Sequence, residues 1–293
     1  MNTPHTYSIN AGGKLMDLSH PVVMGILNVT PDSFHVSINP NDNKPQEEIR
    51  RAVQAMLTDG ADLIDVGGCS TRPGSQPVDA EEEWRRLSLA LEVVRREAPD
   101  CIISVDTFRH EVAERCIADY GVEIVNDISG GNEAMYDLVA SKGVPYILTY
   151  NETQSACNRL TDTTTDADRK SNAPILQRAM QFFSRRIQLL RDRGAKDIIL
   201  DPGFGFNKTI AENYELLANL TCFDPLQLPL LAGISSKRMI YEVLGCTHDE
   251  AANGTTVLNT IALTNGADIL RVHDVKAAKE CVKLWETTRE GVL

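Results

Sequence analysis

The stretch IILDPGFGF at residues 198–206 joins a short apolar run to an aspartate and a glycine-rich turn. Residues 63–68, LIDVGG, repeat this order, so that Asp65 and Asp201 each follow an apolar run and precede a glycine turn. A short run of this kind is typical of a strand that is buried on both faces of a parallel sheet. Each stretch therefore predicts a buried strand that ends in a carboxylate.

Eight such apolar runs alternate with amphipathic stretches along the chain. The predicted strands are Val22–Val29, Leu63–Val66, Ile102–Val105, Val122–Val125, Tyr146–Tyr150, Ile198–Leu200, Leu230–Ala232 and Ile269–Val272. The predicted helices are Gln46–Thr58, Ala80–Glu97, Glu111–Tyr120, Glu133–Lys142, Ile175–Arg193, Ala211–Leu220, Asp249–Thr264 and Lys276–Thr288. Eight strands that are each followed by a helix predict an α/β fold of the (β/α)₈, or TIM-barrel, class.

The barrel is predicted to occupy residues 1–293 as a single domain, with a further short helix after Lys237. Met1–Ser19 is expected to form a small β-hairpin that closes the bottom of the barrel. The competing fold is a doubly wound open sheet, which usually carries a glycine-rich dinucleotide turn after its first strand. The segment after the first predicted strand, GILNVTPDSF at 25–34, is not such a turn.

Charge and cysteine content exclude several classes of protein. The formal net charge of −12 argues against a broad nucleic-acid surface and against binding to anionic membranes. No apolar run approaches the ~18 residues that a membrane helix needs, and no signal peptide is evident. The seven cysteines form no CxxC pair, which favours reduced thiols and a cytoplasmic protein. An anionic substrate would require a local cationic pocket.

Polar residues stand at the ends of seven of the eight predicted strands. In chain order they are Asn28, Asp65, Asp106, Asn126 with Asp127, Asp201, the run from Ser235 to Arg238, and Arg271 with His273. A single residue of this kind is often a helix N-cap. Because all strands of a barrel end at one face, we expect these side chains to converge in one bowl.

Seven blocks at these strand ends resemble the dihydropteroate synthases, a folate-pathway family of pterin-binding TIM barrels. The blocks are GILNVTPDSF (25–34), DVGGCSTRPG (65–74), SVDT (104–107), NDISGG (126–131), LDPGFGF (200–206), GISSK (233–237) and RVHDV (271–275). The resemblance implies that 6-hydroxymethyl-7,8-dihydropterin pyrophosphate and p-aminobenzoate give 7,8-dihydropteroate and pyrophosphate. It also implies Mg²⁺ as a cofactor, a homodimer and sulfonamides as inhibitors.

The resemblance assigns the pterin to Asp106, Asn126, Asp201 and Lys237. Carboxylates suit the N–H donors of a pterin and an amide or ammonium suits its acceptors, with about 1.5–3 kcal/mol for each charge-assisted bond. For Asp201 the alternative is an Asx turn ahead of Pro202, and for Asp106 and Asn126 it is local backbone bonding. Asp65 is expected either to brace its loop or to help position a substrate.

Pyrophosphate is assigned to Asn28, Thr71, Arg72, Arg271 and His273. Arg271 and His273 are two residues apart on a strand and so share a face, and an arginine holds phosphate oxygens through its planar fork. The amide oxygen of Asn28 is the expected ligand of Mg²⁺. For Arg271 the alternative is a surface salt bridge.

Phe206 and Arg238 are assigned to p-aminobenzoate. Phe206 is expected to form a wall of that site, with core packing as the alternative. Arg238 stands where the family commonly has serine, so it either pairs with the aminobenzoate carboxylate or points to solvent. Thr149-Tyr150 and Asn207 also depart from the family, which often has His-Met and glycine there.

Catalysis is assigned to Asp106, Lys237, Arg271 and His273. No activated nucleophile is evident, so we expect a cation-like substitution in which electrostatics stabilise the departing pyrophosphate and the pterin cation. The loops after the first two strands are expected to cover the bowl. Two rival functions stay open: a folate-dependent methyltransferase, and a pterin-binding paralogue without synthase activity.

Overall fold

The computed structural model describes residues 6–29, 44–69, 78–151 and 173–290. The chain starts with an antiparallel hairpin of β1 (Ser8–Ala11) and β2 (Lys14–Asp17). Gly12 and Gly13 form its two-residue turn with φ of 61° and 87°, values that favour glycine. The predicted hairpin is thus confirmed within the described residues.

Eight parallel strands follow, ordered β8-β7-β6-β5-β4-β3-β10-β9 in one sheet. Their bounds are β3 Val22–Asn28, β4 Leu63–Gly67, β5 Ile102–Asp106, β6 Ile124–Asp127, β7 Tyr146–Thr149, β8 Ile198–Asp201, β9 Leu231–Ala232 and β10 Ile269–Val272. A parallel bridge between Leu200 and Leu230 joins the two outer strands, β8 and β9. The predicted (β/α)₈ barrel is therefore confirmed.

Helices surround the sheet and follow the strands in sequence. Their bounds are α1 Lys44–Thr58, α2 Ala80–Glu97, α3 His110–Tyr120, α4 Glu133–Lys142, α5 Ile175–Asp192, α6 Ile210–Ala218, α7 Arg238–Leu244, α8 Ala252–Thr264 and α9 Val275–Glu290. The expected extra helix after Lys237 is α7. Short 3₁₀ helices at Leu220–Leu226 and Asp249–Ala251 occupy the end of one predicted helix and the start of another.

Strand β6 starts two residues later than the sequence predicts. Gly121 adopts a left-handed conformation with φ of 60°, and the Val122 amide donates to the Cys116 carbonyl at 3.4 Å. The Gly121 amide donates to the Ile117 carbonyl at 3.1 Å, which is the bond of an αL cap at the end of helix α3. Val122 therefore belongs to the turn that follows the helix and does not start the strand.

Two apolar clusters hold the barrel together. One fills the layer between the sheet and its helices, and the other fills the lower barrel interior. The lower interior is formed by buried side chains of seven strands and sealed by the hairpin residues Ile9, Ala11 and Met16. Because side chains alternate along a strand, the residues two positions further on point into the upper interior. No helix within the described ranges is long and apolar enough to cross a membrane.

Candidate active site

Four strand ends bring Asp65, Asp106, Asn126 and Arg271 into one cluster at the upper end of the barrel. Arg271 donates from Nε to Asp65 Oδ2 at 2.7 Å and from Nη2 to Asp106 Oδ2 at 2.6 Å. Asn126 Nδ2 also donates to Asp65 Oδ2, at 3.0 Å. Asp65 thus orients two side chains that the sequence analysis assigned to substrate binding.

The charges of this cluster depend on its burial. Burial raises the pKa of Asp106, and Arg271 opposes that rise while Asp65 adds to it. Burial would lower the pKa of Arg271, but Asp65 and Asp106 outweigh that effect and keep it raised. The Arg271 side chain is only 17% exposed, so the alternative of a surface salt bridge is wrong. Its contacts are with carboxylates of the bowl.

Two polar atoms of the cluster are buried without a hydrogen-bond partner in the described part of the chain. They are Oδ1 of Asp65 and Oδ1 of Asn126. Buried acceptors are normally satisfied, and an orphaned one requires an explanation. A ligand that carries N–H donors would supply the missing partners.

Asp201 ends β8 beside Thr149, its register partner on β7. The Gly203 amide donates to Asp201 Oδ1 at 2.8 Å, which is the local turn considered as the alternative. The Thr149 hydroxyl donates to Asp201 Oδ2 at 3.2 Å. A Cβ on Gly203 would lie 2.2 Å from the Tyr150 carbonyl, so the turn requires glycine. The turn therefore fixes the Asp201 carboxylate at the strand end.

Lys237 lies just before α7 and underlies the GFGF turn. Its Nζ donates to the Phe204 carbonyl at 2.5 Å and lies 4.8 Å from the centroid of the Phe206 ring. Burial lowers the pKa of Lys237 to about 8, while Asp201 and Asp106 act in the opposite direction. Phe206 belongs to neither apolar cluster, so the alternative of core packing is wrong for it.

Asn28 closes β3 next to Gly67, its register partner on β4. A Cβ on Gly67 would lie 2.9 Å from Asn28 Oδ1 and 3.8 Å from Asp106 Oδ2. The absence of a side chain at Gly67 therefore leaves room for both oxygens at the mouth of the barrel. No group of three histidine, cysteine or acidic side chains able to hold a metal occurs within the described ranges.

His273 follows β10 and is exposed, with Nδ1 3.2 Å from Ser235 Oγ. Arg271, two residues earlier, points into the carboxylates, so the two predicted pyrophosphate residues have different partners. Thr71 and Arg72, the other two cationic or hydroxyl candidates of that set, lie outside the described residues.

Arg238 is the first residue of α7, and its side chain is 64% exposed. Its Nε lies 2.5 Å from Glu242 Oε1, one turn along the helix. This is the solvent-facing arrangement that the sequence analysis left open, and pairing with a bound aminobenzoate stays a prediction.

Lys208 is a buried residue of this region to which the sequence analysis assigned no role. It follows the GFGF turn by two positions, and its ammonium contacts backbone carbonyls of that turn. The sequence offers no local signal for this burial, since a lysine that follows a turn usually faces solvent.

Comparison with known proteins identifies the family to which this chain belongs. Residues 24–273 match the model of the family described as pterin binding enzyme. The chain is 38% identical over 281 residues to the dihydropteroate synthase of Escherichia coli K12, with 95% of each chain covered. It is 36% identical to the dihydropteroate synthase of Haemophilus influenzae, with 95% of this chain and 98% of that protein covered.

Solved structures agree with this result. The dihydropteroate synthase of Xanthomonas albilineans with 4-aminobenzoic acid has a TM-score of 0.83 and 32% identity, covering 97% of this chain and 98% of the other. A complex of the same enzyme with 7,8-dihydropteroate has a TM-score of 0.79 and 30% identity, covering 97% and 99%. This chain belongs to the pterin-binding enzymes and, among them, to the dihydropteroate synthases.

Proposed function

We propose that this protein condenses 6-hydroxymethyl-7,8-dihydropterin pyrophosphate with p-aminobenzoate to give 7,8-dihydropteroate and pyrophosphate. The observation that carries the proposal is the cluster of Asp65, Asp106, Asn126 and Arg271. It combines acids, an amide and a guanidinium in a buried bowl, and two of its acceptor atoms have no partner among the residues that the structure describes. A flat ring with N–H donors on one edge matches that set.

The pterin is proposed to bind to Asp106, Asn126, Asp201 and Lys237. The carboxylates accept from the N–H donors of the ring, and the Lys237 ammonium donates to a ring acceptor. Low local dielectric strengthens these bonds, and their number fixes the orientation of the ring. The reactive methylene then faces the rim of the bowl, where the leaving group and the amine meet.

Pyrophosphate departure is proposed to use His273, Asn28, Thr71 and Arg72, with Arg271 at the junction with the pterin. An amide oxygen fits Mg²⁺, which takes oxygen ligands and keeps phosphate oxygens and waters for the rest. No group of three histidine, cysteine or acidic side chains that could hold a metal lies within the described ranges. Asn28 is therefore proposed to contribute one ligand to an ion that the diphosphate itself carries. Mg²⁺ would stabilise the charge on the departing oxygen.

The substitution breaks the bond between the methylene carbon and the diphosphate oxygen, and the electron pair leaves with pyrophosphate. The lone pair of the aminobenzoate nitrogen forms the new C–N bond, and one proton of that nitrogen is released. Asp106 and Asp201 stabilise the positive charge that develops on the pterin as the first bond breaks. Phe206 is proposed to flank the aminobenzoate ring, and Arg238 is placed at the outer rim.

A homodimer is proposed through α7, α8 and α9, which pack in succession along the chain. These helices expose large apolar side chains that a second copy would cover: Val243, Leu244, Val257, Ile261 and Leu284. The substrates are small molecules, and the protein is proposed to act in the cytoplasm. Sedimentation of the wild-type protein against a Val257→Lys variant would test the interface, because loss of the dimer only in the variant is expected.

The decisive test mixes purified protein with the pterin diphosphate, p-aminobenzoate and Mg²⁺ and measures dihydropteroate and pyrophosphate. Formation of both products in equal amounts is expected. Pterin binding without turnover would favour the non-catalytic paralogue instead. Methyl transfer to or from a folate, in the absence of dihydropteroate, would favour the methyltransferase.

A further inference from the structure

The ammonium of Lys208 lies inside the loop that follows β8. Its Nζ donates to the carbonyls of Tyr150 and Gly203 at 2.8 Å each and to that of Phe206 at 3.2 Å. It also lies 4.5 Å from the centroid of the Tyr150 ring. The residue is 9% exposed. One cation thus connects the end of β7 with both arms of the GFGF turn.

The number of these contacts makes the ammonium a strong constraint on backbone conformation. An ammonium has three N–H donors, and three carbonyl oxygens surround this one. Lysine is almost never fully buried unless it is paired, so the carbonyls must hold their positions to compensate the buried charge. The turn therefore cannot move without weakening the solvation of Lys208.

A second side chain fixes the same turn. Asn213 of α6 accepts from the Gly205 amide through Oδ1 at 2.7 Å and donates from Nδ2 to the Thr209 carbonyl at 2.7 Å. Asn213 thereby ties the middle of the turn to the start of α6.

Lys237 contacts the turn through other atoms than Lys208 does. Its Nζ donates to the Phe204 carbonyl, and the Phe206 ring lies over that ammonium. Lys208, in contrast, holds the Phe206 backbone through the carbonyl. The position of the Phe206 ring is therefore determined by an ammonium that faces the bowl and by another within the loop.

We propose that Lys208 is a positioning residue for p-aminobenzoate, which acts by fixing the turn that presents Phe206. The inference rests on the proposed function, because that function places the aminobenzoate ring against Phe206. The pterin acids are strand residues, and none of them contacts Lys208 in the bonds above. Asp201 is linked to Lys208 through Gly203, but it is also held by strand β8 and by the Thr149 hydroxyl. Loss of Lys208 should therefore affect the second substrate more than the pterin.

The test compares steady-state kinetics of the wild type with Lys208→Met, which keeps the length of the side chain and removes its donors. The KM for p-aminobenzoate is expected to rise about tenfold or more, since small displacements of a positioning group have effects of that size. The KM for the pterin diphosphate should stay within about twofold. Lys208→Arg keeps the charge and donors and should recover most of the loss.

Lys14→Met is the matched control. Lys14 also donates to a backbone carbonyl, that of Asp100 at 2.8 Å, but it lies on the hairpin at the opposite end of the barrel. This control should leave both KM values unchanged. Equal increases of both KM values in Lys208→Met, or no change in either, would overturn the proposal.

If Lys208→Met does not fold, Asn213→Ser loosens the same turn by another route and should give the same separation of the two KM values. Equal effects on both substrates would again overturn the proposal. Failure of the proposed function has a different signature, because the wild type would then form no dihydropteroate. The affinity for p-aminobenzoate would in that case be measured by calorimetry with a non-reactive pterin and pyrophosphate, and equal values for wild type and Lys208→Met would overturn the role of Lys208.

Discussion

The lower and upper layers of the barrel interior lie one pleat apart on the same strands, yet their chemistry is opposite. The lower layer includes Leu63, Ile124, Ile147, Ile199 and Ile269. Two residues later, the same five strands carry Asp65, Asn126, Thr149, Asp201 and Arg271. A single step of the alternating side-chain pattern therefore separates an apolar core from a charged site.

This difference separates stability from function. Apolar side chains in the lower layer gain free energy by leaving water, whereas a buried ion pair often gains less than its desolvation costs. The lower layer and the hairpin that seals it therefore stabilise the barrel. The upper layer carries the residues proposed to bind the pterin, and substitutions in the two layers should have separable effects.

The largest expected effect is on stability, in the lower layer. Ile199→Ala should lower the free energy of unfolding by about 2–5 kcal/mol, because the deletion leaves a cavity in a packed interior. Activity per folded molecule should stay close to that of the wild type. Urea denaturation measures the free energy of unfolding, and the formation of dihydropteroate and pyrophosphate measures the activity. A loss of kcat without a loss of stability would show that the layers are not separable.

On the same strand, Asp201→Asn should reduce ligand binding and leave stability largely unchanged. It should weaken binding of a non-reactive pterin by roughly 1.5–3 kcal/mol, because a charge-assisted bond is lost. Stability should change less than in Ile199→Ala, since the amide oxygen can still accept from the Gly203 amide and the amide NH₂ can donate to the Thr149 hydroxyl. Calorimetry gives the affinity, and a value within about twofold of the wild type would remove Asp201 from the pterin site.

The pH dependence of Lys237 sharpens the comparison further. Its pKa is lowered to about 8 by burial, so the free protein loses this ammonium as pH rises through 8. Pterin affinity should fall above that pH, by up to about tenfold for each unit. The unfolded chain binds more protons between pH 8 and its ordinary pKa of 10.5, so this lysine makes the fold more stable as pH rises there.

These opposite trends can be measured by titrating affinity and unfolding free energy across pH 7–10. Lys237→Met serves as the control, because it removes the titrating group and should flatten both contributions. Parallel trends in the wild type and this variant would show that another group controls the pH dependence.

The smallest effect is expected outside both layers, at Arg238. An exposed ion pair contributes only about 0.2–1 kcal/mol, so Arg238→Ser should raise the KM for p-aminobenzoate by no more than about fivefold. The KM for the pterin substrate should not change. An unchanged or lower aminobenzoate KM would support the solvent-facing arrangement, in which Arg238 pairs with Glu242 alone.

The sequence predicts the barrel and the positions of its polar strand ends, because both follow from periodicity that is local in the chain. It predicts less about which polar side chains contact one another. Nothing local indicates that Arg271 turns toward Asp65 and Asp106 while His273 lies at Ser235, since those partners come from distant strands. Nor does it indicate that Lys208 is buried, because lysine after a turn usually faces solvent.

The bond between Arg271 and Asp65 joins residues 206 positions apart. It connects the second strand of the barrel in the sequence with the last one, so this part of the site forms only from a nearly complete chain. A growing chain contains Asp65, Asp106 and Asp201 before it contains the guanidinium that offsets two of them. Asp65 and Asp106 therefore gain their shared ion-pair partner only when β10 pairs with β3 in the sheet.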